Sequence, residues 1–144
     1  AQGTSGVVAA VEAGNGTIGY ADASRAGDLG TVAVGVGNNF VPFSPEAAAR
    51  IVDVSDQVSG RPETSLAYDL RRDTTESGVY PVVLVSYLQG CMDYKDDAKA
   101  ELVKAYASYM LSAEGQQFAS DSAGNAPISD ELRQQALAII EQVQ

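Results

Sequence analysis

Histidine and tryptophan are absent from these 144 residues, and cysteine occurs once, at Cys91. The lack of histidine removes the commonest metal ligand and the commonest general base. A single cysteine allows no internal disulfide and no cysteine-rich metal site. Positive charge is scarce: nine Lys and Arg stand against nineteen Asp and Glu, a formal net charge of −10. Phosphate-backbone binding needs clustered cations, and here only Arg71 and Arg72 are adjacent. The balance therefore excludes a nucleic-acid partner and disfavours anionic membranes. No apolar run reaches the length of a membrane span. No G-x-S-x-G elbow is present. Together these absences argue against an enzyme, and no metal or cofactor site is expected.

What is present describes a globular chain: 45% hydrophobic, 19% charged and rich in glycine, with 14. The length suits one domain and can bury a core. The chain opens without Met and directly in a structured-looking motif. The expectation is a piece of something longer.

Residues 5–13 read as a short helix with Thr4 or Ser5 as N-cap and Gly14 just past its end. Thr17–Tyr20 and Thr31–Val36 are strand candidates, with a helical turn over 24–29. Ser44-Pro45-Glu46 is a helix start, with a cap, a proline at the first position and an acid in the first turn. Residues 53–65 read as irregular, 66–70 as a strand and 71–78 as a charged loop. Tyr80–Leu88 is the strongest strand, a nearly continuous apolar run of the kind covered on both faces. Residues 97–113 form the strongest helix, with Leu102, Tyr106, Tyr109, Met110 and Ala113 on one face. Gly115 ends or kinks it, and 116–120 continue it. Ser129 caps a last helix with the stripe Leu132, Ala136, Ile139, Ile140 and Val143. This order predicts an α/β fold with a mainly parallel or mixed sheet.

Three stretches, taken in order, carry a resemblance. "GTSGVVAAVEAGNGTIGYADAS" is similar to the pattern "GNDGIAA.V….GAIGY.E.S.A". "YPVVLVSYLQGC" is similar to a "YPI….Y…" strand. "AELVKAYASYMLSAEGQQFASDSAGNAPISDEL" is similar to a closing "…V..FL.WAL..GQ..A...GY.PLP..". These patterns belong to the substrate-binding proteins of phosphate ABC transporters, and the match is nearest to actinobacterial members. It covers most of the chain, least well over Val58–Leu70, and corresponds to the C-terminal portion of the family. The resemblance implies a periplasmic-binding-protein-like (type II) three-layer α/β/α fold, incomplete here relative to the two-lobe family fold. Residues 1–79 would be the remainder of the second lobe. Residues 80–144 would supply a crossover strand and the C-terminal helices that complete the first lobe.

The family binds phosphate through an Arg-Ser-Gly-Thr loop at a helix start. Gly3-Thr4-Ser5 departs from it, because Ala1 and Gln2 stand where Arg and Ser would be. The short spacing to Ile18-Gly19-Tyr20 aligns Gly3–Gly6 with the family's second helix start instead. Thr4, Ser5 and Gly6 remain the candidate ligand-binding residues, since a helix start offers free N–H groups and a positive dipole. A plain cap is the alternative.

Arg71 and Arg72 could clamp an oxyanion, but Asp69 and Asp73 flank them, and a solvated loop is the simpler reading. Asp22 could accept a hydrogen bond from a protonated phosphate, or cap the turn near Ser24; the cap is preferred. Asp93, Asp96 and Asp97 lack calcium-loop spacing and read as the acidic start of a helix. Tyr80, Tyr87, Tyr106 and Tyr109 read as core and rim. Cys91 is either a buried thiol or a half-cystine whose partner lies elsewhere.

The function the resemblance implies is the extracytoplasmic binding component of an inorganic phosphate importer. It would be a periplasmic protein or cell-surface lipoprotein that docks on an ABC transporter permease. The alternative is a ligand-free interaction or scaffold domain of the same fold, with self-association as one form. For the 144 residues alone, weak or no phosphate binding is expected.

Overall fold

In the computed structural model, which describes all of residues 1–144, most helices begin where a short polar side chain caps them. Helix α2 (Pro45–Asp53) starts behind Ser44, whose hydroxyl accepts from the Ala47 N–H at 3.1 Å. Helix α3 (Asp97–Leu111) is capped by the Asp96 carboxylate on the Ala98 N–H, at 3.1 Å. Helix α4 (Ala113–Ala123) is capped by Ser112 and ends at Gly124, which is left-handed at φ 68°. Helix α5 (Asp130–Ile140) is capped by Ser129. Each cap satisfies one otherwise orphaned first-turn donor.

Helix α1 (Gly3–Glu12) is the exception. Its N-cap is Gln2, without a side-chain capping bond, so neither Thr4 nor Ser5 is the cap. Both lie inside the first turn. The segment after the helix folds back along it. The Thr17 hydroxyl donates to the Val11 carbonyl at 2.9 Å. A Cβ on Gly19 would come within 2.7 Å of Val11, so only glycine allows this approach.

Strands β1 (Val34–Val36) and β2 (Asn39–Val41) form an antiparallel hairpin with Val34 opposite Val41 and Val36 opposite Asn39. Gly37, at φ 58°, supplies the left-handed residue that a two-residue turn needs. Strands β3 (Asp56–Gln57) and β4 (Tyr68–Asp69) pair antiparallel, with Asp56 opposite Asp69. The fold is thus a small α/β domain of five helices and two two-stranded sheets.

Both sheets are antiparallel, not the mainly parallel or mixed sheet that the element order suggested. No single sheet forms the middle of three layers. The reason lies in Tyr80–Leu88. This segment alternates in burial as a strand does, yet no backbone–backbone hydrogen bond involves residues 81–91. Thr17–Tyr20 likewise joins no ladder. A parallel sheet forms only when several strands bond side by side.

The core has two parts. Val36, Val41, Ala48, Ile51 and Val79 are buried in the first, contributed by the hairpin, α2 and the start of the apolar segment. Phe43 meets Tyr80 edge-on, with ring centroids 5.8 Å apart. In the second part α3 packs on α4 and α5, burying Ala100, Ala107 and Val143. The terminal residue is tied down: the Gln144 N–H donates to the Met92 carbonyl at 2.9 Å, and its carbonyl accepts from Tyr94 N–H.

The face of α3 expected to be core is not. Leu102 is 70% exposed, and Tyr106, Tyr109 and Met110 are also exposed. The helix buries its small-residue side instead. Tyr87 is exposed as well, so among the four tyrosines only Tyr80 is half-buried. The accessible surface totals 9980 Å². A compact monomer of 15.0 kDa would expose about 7000 Å².

Candidate functional site

The head of α1 brings the three candidate residues together, because they are consecutive in its first turn. Gly3 takes φ 65°, which an L side chain rarely adopts. Thr4 is half-buried, Ser5 exposed, and Gly6 lies beneath Ala1, whose carbonyl carbon is 3.5 Å from where a Cβ would stand. The N–H groups of Gly3, Thr4 and Ser5 have no partner within the helix. No side chain accepts from them. They point the positive end of the helix dipole outward.

Asp22 sits at this helix head. Its Oδ2 accepts a 2.9 Å hydrogen bond from the Thr4 hydroxyl. Asp22 is also the residue before the 3-10 turn Ala23–Arg25, but its side chain caps nothing there; only its carbonyl accepts, from Arg25 N–H. The preferred reading of Asp22 as a turn cap is therefore corrected. The carboxylate instead joins the first turn of α1, where negative charge is favoured by the dipole. A fully ionised anion arriving here would meet that charge. An anion that carries a proton could donate it to Asp22 as a hydrogen bond.

The arginine pair forms no oxyanion clamp. The Arg71 guanidinium bonds to Asp56 at 3.2 Å. Arg72 reaches across the fold and donates to the carbonyls of Pro81 and Val83, at 2.9 Å each. It stands on an exposed loop, as expected, and also straps the apolar segment. Nothing in the sequence marks this role, because the contact is made by folding. A cavity of about 320 Å³ lies beside Arg71, lined by Asp56, Asp69, Leu70 and Asp73. Three acids against one paired arginine make it repellent to anions.

Asp96 and Asp97 start α3 as expected. Cys91 is exposed, which overturns the buried-thiol alternative.

Two groups are perturbed. The Glu46 carboxyl is held below its ordinary 4.5 by hydrogen bonds from its own backbone N–H and from Ser44, at the head of α2. The Tyr80 phenol is pushed above its ordinary 10.0, first by burial and then by the nearby Tyr20. Neither lies at the head of α1.

No family model, no curated protein and no solved structure matches this chain.

Proposed function

We propose that this chain is the C-terminal portion of an extracytoplasmic phosphate-binding component of an ABC importer. The observation that carries the reading is the ordered set of three motifs across most of the sequence. On this reading the complete fold is the two-lobe, periplasmic-binding-protein-like type. Residues 1–79 belong to the second lobe and residues 80–144 complete the first. The protein works outside the cytoplasm, as a periplasmic protein or cell-surface lipoprotein, and delivers inorganic phosphate to a permease. It performs no chemistry on its ligand.

The head of α1 supports the reading without carrying it. Free N–H groups at a helix start suit phosphate, and Asp22 gives the site an acceptor beside them. At neutral pH phosphate carries a proton and sulfate does not, so an acceptor discriminates between the two. The net charge of −10 does not prevent anion binding. Distant charges are screened beyond about 8–10 Å, whereas the local donors act in contact.

The 144 residues hold only part of the ligand set, so they bind phosphate with a dissociation constant of about 1 mM or weaker. Amide chemical shifts recorded during phosphate titration test the placement. Shifts at Thr4, Ser5 and Gly6, absent with sulfate and altered in Asp22→Asn, are expected. Shifts confined to another part of the chain, or equal for both anions, would contradict it.

A further inference from the structure

The most unusual feature of the molecule is a strand without a sheet. Burial alternates along it: Val79 and Pro81 are buried, Val83 and Val85 half-buried, and Val82, Leu84, Ser86 and Leu88 exposed. The alternation ends at Tyr87, which is exposed, although its hydroxyl still accepts from the Tyr68 N–H at 3.2 Å. One face is therefore seated and the other is apolar and bare, with Leu84 79% exposed.

The edges differ too. In a strand, alternate residues offer their N–H and C=O to opposite edges. Arg72 occupies the carbonyls of Pro81 and Val83, so it blocks the first half of the odd-numbered edge, while Val85 and Tyr87 have no backbone partner there. On the even-numbered edge, Tyr80 N–H bonds to the Ala47 carbonyl. Beyond that point Val82, Leu84, Ser86 and Leu88 have no backbone partner. A bare edge of this kind is a template for another strand.

We propose that two copies of this chain pair through that edge, antiparallel about Ser86, making one continuous ladder across a two-fold axis. Three observations select a second copy as the occupant. An antiparallel edge is complementary to itself under a two-fold rotation. Centring on Ser86 sets Leu84 opposite Leu88 of the other copy, twice, with a small residue on the axis. Such apolar cross-strand pairs are favourable.

Charge is the second observation. No charged side chain lies between Ser77 and Met92. Two copies of an acidic protein can meet here without like charges facing each other.

Area is the third. The surface exceeds that of a compact monomer by about 3000 Å². Permanent dimers bury roughly 2000–5000 Å² in total, or half that from each copy. That excess is spread over the whole molecule, and exposed Val82, Leu84 and Leu88 contribute the part of it that a second copy can cover. The inference does not depend on phosphate binding.

Light scattering on the 144-residue chain tests it, together with a cross-link. The expected mass is twice 15.0 kDa, falling toward 15.0 kDa on dilution. Ser86→Cys in a Cys91→Ser background should form a disulfide-linked dimer on mild oxidation. Leu84→Lys, on an exposed position, should raise the dimer dissociation constant by about tenfold or more, because a lysine on an edge blocks pairing. Leu88→Lys is the second variant if Leu84→Lys loses helical circular dichroism. A single-chain mass at every concentration would overturn the proposal. So would a dimer that persists in both lysine variants or fails to cross-link through position 86.

Discussion

Gly115 shows how one residue sets a local shape. It is buried in the first turn of α4, and a Cβ there would collide with the carbonyl of Tyr109. Ser112 bonds both sides of the bend, donating to Tyr109 O and accepting from Gly115 N–H. Gly115→Ala should cost about 1–3 kcal/mol of stability, read from urea unfolding, as overpacking at a tight contact does. The sequence marks this glycine as a helix end or kink. Only the structure shows that the helix breaks at Ser112 and that Gly115 permits the close return.

Tyr80 gives a pH dependence at the same scale. Its folded pKa is raised above 10.0. A raised value means that folding favours the neutral phenol. Its contribution is complete below the unfolded pKa and is lost as pH rises through the folded one. Thermal melts of the native chain should therefore weaken above about pH 10. Tyr80→Phe should flatten that alkaline limb, and an unchanged limb would contradict the assignment. Glu46 acts in the opposite sense at low pH. Its lowered pKa contributes stability above 4.5 that is lost as pH falls through the folded value.

Among the elements, the starts of α2 and α5 were legible, although α5 ends at Ile140, short of the Val143 expected on its stripe. A serine cap, with proline or acids behind it, is a local signal, and local bonds deliver it. Ser44→Ala should cost about 1 kcal/mol, by loss of the bond to Ala47. Helix α3 was legible in extent but not in orientation. Its larger apolar residues suggested the buried face, yet Ala100 and Ala107 take that place. Hydrophobic periodicity states which residues favour burial; it does not state whether a partner is there to bury them. Leu102→Lys should then change stability by less than about 0.5 kcal/mol. Ile51→Ala, at a fully buried position of α2, should cost about 2–5 kcal/mol. Chemical denaturation of both variants separates the two faces.

At the head of α1 the sequence places a helix start, although the cap is Gln2 and neither Thr4 nor Ser5. It could not show that Asp22, eighteen residues from Thr4, bonds to its hydroxyl. The Arg72 strap escaped notice for the same reason: both are contacts between segments, not patterns within one.

For the whole molecule, surface is the governing quantity. Eleven of 144 residues are buried. The chain makes 65 backbone–backbone hydrogen bonds, against about 100 for a typical protein of this length. Both shortfalls trace to apolar segments that carry the form of a sheet without its partners. A compact monomer of this length has a radius of gyration of about 14.5 Å. Small-angle scattering should give a larger value even at high dilution.

On the proposed function these bare surfaces would belong to a larger two-lobe fold, and in the 144-residue chain alone a second copy would cover the strand edge. Isothermal titration of the two-lobe protein that the proposed function requires tests that reading most directly. Phosphate should bind with measurable heat and sulfate should not compete. A protein that is folded, by circular dichroism, and shows no phosphate binding would contradict it.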